Sequence, residues 1–244
     1  MMMRHVTGAV SIAAMCLVAP QAFGSDVLQT IDYGPTMMAP TMYASVFAGF
    51  TAPTTISGQY FGSSTIELDA GWGFAGGVAV GTNITSNLRG EFELSFTHRN
   101  IDDEDFIPQW ECAPGDCTAT GSLSTIYMLG NVWWDLDMGG GFSPYVGGGV
   151  GAAWVMPSVT IYDDPDYMWD VAGLAPAAQL GLGVRYDFSD NMKVDLGYRA
   201  KAVLGANFSD STDPCGYPGG SGACAADDIM YVEHVLQAGL TFEF

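Results

Sequence analysis

Strict alternation of apolar and polar side chains constrains the fold of this chain more than any other feature. From Leu88 to Arg99, Leu, Gly, Phe and His occupy one parity, whereas Arg, Glu, Ser and Thr occupy the other. The same period of two runs through Met192–Leu204 and Tyr231–Phe244. Because successive side chains of a strand point to opposite faces, each segment is predicted to be a β-strand with one apolar and one polar face.

Further segments repeat this alternation less strictly and bring the number of strand candidates to about eight. They are Tyr43–Phe50, Gly71–Thr82, Leu123–Leu136, Pro144–Met156 and Leu174–Phe188. The short turns between strands are Asn83–Asn87, Asp137–Gly141 and Ser189–Asn191, and the long loops are Thr51–Ala70, Asn100–Ser122, Pro157–Gly173 and Ser209–Ile229. This alternation of short and long connections is typical of outer-membrane barrels. The predicted fold class is all-β: a transmembrane, antiparallel, up-and-down β-barrel of about eight strands with long external loops.

The basic residues indicate which face of the strands is turned toward lipid. Six follow Arg4, and all occupy the polar parity: Arg89, Arg99, Arg185, Lys193, Arg199 and Lys201. Aromatic girdles are expected at the periplasmic boundary from Trp133, Trp134, Phe188, Phe242 and Phe244, and at the outer boundary from Phe50, Trp72, Phe96, Trp154 and Phe208. A soluble β-sandwich or a lipocalin-like barrel is the alternative, but it would not need every basic residue on its non-apolar face and none in its loops.

The amino terminus has the pattern of an export signal. Met1–Gly24 combines a basic start, an apolar stretch of roughly 14 residues, and small residues at the spacing of a cleavage site. An N-terminal membrane anchor is the alternative, but a helix needs about 20 apolar residues to cross a bilayer. We therefore predict a signal peptide at 1–24, a periplasmic leader at 25–41 and an outer-membrane barrel domain at 42–244.

Four cysteines follow the predicted signal and form two local pairs, Cys112 with Cys117 and Cys215 with Cys224. Each pair lies in a stretch rich in Gly, Pro and Asp, which favours two small disulfide loops in an oxidising compartment. Zinc binding is the alternative, but no histidine lies near either pair.

Three stretches, Gly71–Gly81, Ser143–Gly151 and Asp195–Arg199, resemble the eight-stranded outer-membrane β-barrel family of opacity-type porin-like proteins and OmpA-like barrel domains. The resemblance extends from about Tyr43 to Phe244. It implies a multi-pass β-barrel in the outer membrane of a Gram-negative bacterium. The carboxyl-terminal Leu240, Phe242 and Phe244 look like the signal that the outer-membrane assembly machinery reads.

The charged residues on the polar parity are expected to line the lumen. They are Arg89, Glu91, Glu93, Asp135, Arg185, Asp187, Lys193, Asp195, Arg199, Lys201, Glu233 and Glu243. Because side chains can fill the interior of an eight-stranded barrel, a paired network that plugs the lumen is the first interpretation. The alternative is a narrow ion path, in which Arg185, Lys193, Arg199 and Lys201 would favour small anions.

The net charge of −20 excludes nucleic acid as a partner. The acidic runs Asp102–Asp105 and Asp163–Asp166 lie in predicted external loops, where they could bind calcium or bridge to lipopolysaccharide through divalent cations. Neither run has the spacing of a calcium-loop motif, so a solvated acidic surface without a metal or cofactor is favoured.

The first functional hypothesis is a structural or surface-interaction protein whose disulfide-stapled acidic loops meet lipopolysaccharide, a host surface, a phage or a protein partner. A small porin for ions or small solutes is the alternative. An outer-membrane lipid-modifying enzyme that uses His98 with Ser95 and an acid is the third hypothesis. Because His98 and His234 share the lipid-facing parity and no motif has enzyme spacing, the prediction is that the chain is not an enzyme.

Overall fold

The computed structural model describes residues 41–60, 64–103, 119–161, 168–169, 172–214 and 223–244. The predicted signal peptide, the predicted leader apart from Thr41, and Cys112, Cys117 and Cys215 lie outside these residues. So do both acidic runs, apart from the backbone of Asp102 and Asp103. Cys224 lies in a described strand, but its side chain does not belong to the described part. The predictions made for these segments therefore stay predictions.

The described residues form strands joined by turns. The strands are β1 (Met42–Thr51), β2 (Thr54–Tyr60), β3 (Ser64–Asn83), β4 (Leu88–Asp103), β5 (Ala119–Asp135), β6 (Phe142–Ile161), β7 (Met168–Trp169), β8 (Gly173–Ser189), β9 (Met192–Pro214) and β10 (Ala223–Glu243). All belong to one antiparallel sheet. No helix in the described part of the chain is long and apolar enough to cross a membrane.

The sheet closes on itself because β1 pairs with both β3 and β10. Strand β2 pairs with the same two neighbours and continues the wall beyond a break at Ala52 and Pro53. Proline has no N–H to donate to a ladder, which explains the position of the break. With β1 and β2 acting as one wall strand and β7 lying beside β6, the ring has eight strands.

The strands tilt strongly relative to the axis of the ring. The cross-strand partners that start at Tyr43 are Gly81, Glu91, Asn131, Gly149, Gln179, Lys201 and Glu233. Because Thr51 pairs with Val235, Glu233 lies level with position 53, which is ten residues beyond Tyr43. In a closed barrel of eight strands such a stagger requires a tilt of about 35–45°.

The strands are longer than the sequence predicted. The prediction of four long loops was therefore wrong for the described residues of these segments. Their described residues are nearly all strand, because the hairpin arms continue the ladder, as in the pairing of Thr54–Tyr60 with Ser64–Ala70. Strand β9 has 23 residues and β10 has 21. A membrane crossing takes about 9–11 residues, so the longest strands project well beyond the bilayer on the side opposite the short turns.

Within the membrane-spanning part, apolar side chains cover the outside of the ring. Exposed examples from every part of the wall are Val46, Val78, Leu94, Val132, Val150, Leu182, Leu196 and Leu240. In water such a band would be unfavourable, whereas lipid solvates it.

The two faces exchange their polarity in the projecting part. Exposed polar residues there are Glu67, Asp69, Asn100, Ser158, Asn207 and Asp228. The inward side chains form an apolar core that includes Ile56, Leu68, Ile101, Leu123, Val159 and Ile229. The projecting part is therefore packed like a soluble β-barrel. Because the reversal breaks the pattern of an apolar outer face and a polar inner face, the alternation of the sequence did not identify the projecting segments as strands.

The prediction for one girdle residue was wrong. Trp133 is fully buried, and its Nε1 donates a hydrogen bond of 3.1 Å to Glu91, so it belongs to the lumen and not to the periplasmic girdle. Its parity is that of Asn131, whose side chain is also buried. The adjacent Trp134 is 52% exposed on the outer wall, where an interfacial aromatic is expected.

We expect Leu94→Arg to lower the free energy of unfolding in lipid vesicles by about 2–4 kcal/mol, because it places a cation on the lipid-facing wall. Asn100→Arg is the matched control on the same face of the same strand, where the wall is already polar. It should cost at most about 1 kcal/mol. Equal losses for the two variants in urea titrations would contradict the assignment of lipid-facing and water-facing segments.

Gly147 and Gly130 provide a second test. A Cβ on the inward-facing Gly147 would overlap the carbonyl oxygen of Val132 and lie 2.7 Å from the Trp133 ring, whereas the nearest atom to one on Gly130 is 3.9 Å away. We expect Gly147→Ala to destabilise the barrel by about 1–3 kcal/mol because the site is already filled. Gly130→Ala should be neutral or slightly stabilising. Equal stabilities in the same titration would show that the lumen is loosely packed.

Candidate functional site: the lumen and the outer wall

Arginines and carboxylates fill the lumen nearest the short turns. Arg89 Nε lies 2.9 Å from Asp135, and its Nη1 lies 3.4 Å from Glu91. Arg185 approaches the same Asp135 at 3.4 Å. Tyr43 adds a phenol that donates to Glu91 at 3.0 Å. Because these side chains come from β1, β4, β5 and β8, their contacts tie strands across the ring.

A second set of ion pairs lies at the rim of this end. Lys193 is 3.0 Å from Asp187 and 3.3 Å from Glu243, and Arg185 reaches Glu243 at 3.6 Å. The side chains of Lys193 and Asp187 are 21% and 44% exposed, so water screens this pair. The rim is therefore the weakly coupled part of the network.

Arg199 is held mainly by aromatic rings. Its guanidinium carbon lies 4.2 Å from the centre of the Trp133 ring, and its Nη2 donates to the Tyr145 hydroxyl at 2.9 Å. The Tyr145 hydroxyl in turn donates to Asp195 at 3.0 Å. Tyr145 thus joins a buried cation to a carboxylate.

The middle of the lumen contains the tightest ion pair. Lys201 Nζ is 2.5 Å from Glu93 and donates to Ser95 at 2.6 Å. Gln179 Nε2 donates to the second oxygen of Glu93 at 2.8 Å, and Asn131 Nδ2 to the same oxygen at 3.1 Å. Both charged side chains are almost completely buried, so each depends on the other for solvation.

Above this pair, Arg99 lies 3.1 Å from Glu233, and both side chains are almost fully buried. Tyr127 donates to Glu233 at 3.0 Å, and Thr97 at 3.2 Å. The alternation of the sequence placed Arg99 on the lumen-facing parity, but the predicted network included neither Arg99 nor Tyr127. The parity that Tyr127 shares with Leu123 and Asn131 was the available signal.

These contacts occupy the described lumen from the short turns to the level of Arg99. A cavity of about 30 Å³ lies among them, lined by residues that include Ser45, Arg89, Glu91, Arg185, Arg199 and Gln237. That volume has room for about two water molecules. Toward the outer end the apolar core replaces the polar contacts.

His98 and His234 lie on the outer wall. His98 Nδ1 is 2.9 Å from Ser124 Oγ, and His234 Nδ1 is 2.6 Å from the Tyr198 hydroxyl. The site imagined around Ser95 is not formed, because Ser95 faces the lumen and donates to Glu93 at 2.7 Å. The serine beside His98 is on the neighbouring strand, where only knowledge of the β4–β5 register could have identified it.

The three residues predicted as the assembly signal lie on the outward face at the end of β10. Leu240, Phe242 and Phe244 are 41%, 43% and 73% exposed. No group of three or more His, Cys, Asp or Glu side chains within the described ranges is arranged to hold a metal ion.

A closed ring of eight strands with an apolar outer band and a charged lumen defines an outer-membrane β-barrel of a Gram-negative bacterium. The chain belongs to the outer membrane protein beta-barrel domain family, whose model matches residues 35–244. It is 29% identical over 197 residues to an uncharacterised protein of Brucella suis biovar 1, covering 69% of this chain and 67% of the relative. It is 35% identical over 133 residues to an uncharacterised protein of Brucella abortus strain 2308, covering 48% of this chain and 46% of the relative.

Solved structures share this architecture. The outer membrane protein OprG from Pseudomonas aeruginosa matches with a TM-score of 0.50 and 12% identity, covering 84% of this chain and 96% of OprG. Neisserial surface protein A matches with a TM-score of 0.44 and 17% identity, covering 83% of this chain and 97% of that protein. At 12% identity the likeness to OprG shows the fold alone.

Replacing Lys201 with Met should cost about 3–5 kcal/mol of unfolding free energy, because Glu93 would be left charged, buried and unpaired. The double variant Lys201→Met with Glu93→Met should recover much of that loss. Lys193→Met, at the partly exposed rim, should cost less than about 1 kcal/mol. Urea titrations in vesicles measure all three, and a similar small loss for both single variants would contradict the buried coupling.

Proposed function

We propose that this protein is a non-conducting barrel of the outer membrane that serves as a rigid platform for interactions at the cell surface. The observation that supports this most directly is the filled lumen. Ion pairs occupy one half, an apolar core occupies the other, and the cavity between the charged side chains is about 30 Å³.

The projecting strands are the feature suited to a surface role. Their inner face is a packed apolar core, and their outer face carries exposed polar groups such as Glu67, Asn100 and Asp228. A core of this kind holds the hairpins rigid, so a partner that meets them loses little conformational entropy from the barrel. Such a surface favours the binding of a partner over the transport of solutes.

Charge supports a partner with cationic groups. All six basic residues beyond Arg4 lie in the lumen, so none is available on the outer face of the described strands. The exposed Glu67 and Asp228 leave that face acidic. A basic protein surface, or lipopolysaccharide phosphates bridged by divalent cations, has the complementary chemistry.

The small-porin alternative requires a continuous water path through the ring. In the described lumen, Trp133 and Tyr145 lie among the charged residues nearer the short turns. Tyr127 and Arg99 lie farther out, beyond the Lys201–Glu93 pair. Both sets of residues would have to rearrange before ions could pass.

Single-channel recording in a planar bilayer tests this function. The protein without its predicted signal peptide is refolded, and its unheated gel mobility confirms the folded state. We expect stable insertion with a silent trace, whereas an open porin in the same bilayer produces steps. Discrete, repeatable steps whose amplitude changes in Arg199→Gln would contradict the filled lumen and support a pore.

A further inference from the structure

The outer wall changes from apolar to polar over a short distance along β4 and β5. On the lipid side of this boundary lie Phe96 and Ile126, which face each other across the two strands. On the water side lie the exposed Asn100 and its partner Ser122. His98 and Ser124 form the cross-strand pair between these two levels.

Because the boundary between the apolar and the polar wall is expected at the membrane surface, this position is expected at the level of lipid esters. Trp72 and Trp154, which are 68% and 50% exposed, lie on the neighbouring strands near the same boundary and form part of the outer aromatic girdle. In a membrane lipid, the ester bonds join the hydrocarbon chains to the headgroup region. An acyl ester of the outer leaflet therefore reaches the level of the His98–Ser124 pair.

The geometry of the pair is that of a nucleophile beside a base. His98 Nδ1 lies 2.9 Å from Ser124 Oγ, and both residues are partly exposed on the outer wall. The imidazole is stacked with the Phe96 ring at 6.4 Å and 11°, and it meets the Phe74 ring at 5.3 Å. The two rings restrict the rotation of the imidazole.

We propose that Ser124 and His98 form an acyl-transfer site on the outer wall whose substrate is a carboxylic ester of an outer-leaflet lipid. In the required tautomer, His98 carries its proton on Nε2 and accepts the Ser124 hydroxyl proton on Nδ1. Ser124 Oγ attacks the ester carbonyl carbon, the bond to the alcohol oxygen breaks, and His98 passes the proton to the departing alcohol. Water, activated by the same imidazole, then cleaves the acyl-serine, which releases the fatty acid and restores the hydroxyl.

This activity is separate from the surface role, because neither residue contributes to the lumen or to the projecting core. The other outer-wall histidine provides an internal comparison. His234 Nδ1 is bonded to the phenol of Tyr198 at 2.6 Å, and the two rings are stacked at 6.0 Å. This pair has an imidazole in a similar setting but no aliphatic hydroxyl to act as a nucleophile.

Labelling with a fluorophosphonate probe tests the nucleophile directly. The folded barrel in phosphatidylethanolamine vesicles is treated with the probe, and the modified residue is identified by peptide mass spectrometry. We expect modification at Ser124 that falls by about 10²-fold or more in His98→Asn, since a general base typically contributes at least that factor. Ser122→Ala and His234→Asn are the matched controls and should label like the unchanged protein.

Release of fatty acid identifies the source of the ester. One sample contains phosphatidylethanolamine alone, and a second contains added lipopolysaccharide, whose hydroxylated acyl chains are distinguishable by mass. We expect release in at least one sample, abolished by Ser124→Ala and retained by Ser122→Ala. Absence of labelling at Ser124, labelling that His98→Asn leaves unchanged, or no Ser124-dependent release in either sample would overturn the proposal.

Discussion

Inside a bilayer no water is available to the backbone N–H and C=O groups, so the ladder that begins at β1 has to return to it. In this chain the return is made by the pairing of β1 with β10, which gives a ring of eight strands with a stagger of ten residues. The diameter of that ring is small enough for side chains to meet at its centre. Closure therefore creates the buried interior in which Glu93, Lys201, Arg99 and Glu233 have to find partners.

The ion pairs of the lumen have a consequence for the distribution of charge. The chain carries a net charge of −20, yet its lumen combines six basic side chains with seven carboxylates and is close to neutral. Within the described residues, exposed carboxylates outside the lumen include Glu67, Asp137, Asp190 and Asp228. Because the lumen holds the basic residues of the described strands, these exposed carboxylates have no basic side chain beside them on the outer face. The position of the basic residues in the lumen therefore affects both the stability of the barrel and the charge of its outer face.

Much of this architecture follows from a period of two in the sequence. The parity of Leu94 and Arg89 assigned them to opposite faces, and the structure places Leu94 on the outer wall and Arg89 in the lumen. The projecting arms were missed because the inward Ile101 and the outward Asn100 reverse the polarity of the same strand. The girdle position predicted for Trp133 was wrong because it rested on the nearness of Trp133 to a strand end, whereas its parity is that of the lumen-facing Asn131.

The sites depend on register, which the sequence does not specify. Arg99 and Glu233 are 134 positions apart, and they meet only because β4 and β10 curve toward one lumen. Ser124 faces His98 because of the register between β4 and β5. The alternation of apolar and polar residues does not determine that register. Contacts within one strand could be predicted, whereas contacts between strands required the closed sheet.

Nitroxide scanning of β4 tests the exchange of polarity along the wall. Spin labels are placed at Leu94, Asn100 and Ile101 of the barrel in vesicles, with the native cysteines replaced by serine. We expect Leu94 to be accessible to oxygen dissolved in lipid, Asn100 to a water-soluble nickel chelate, and Ile101 to neither. Oxygen access at Asn100 equal to that at Leu94, or chelate access at Ile101, would contradict the exchange of polarity.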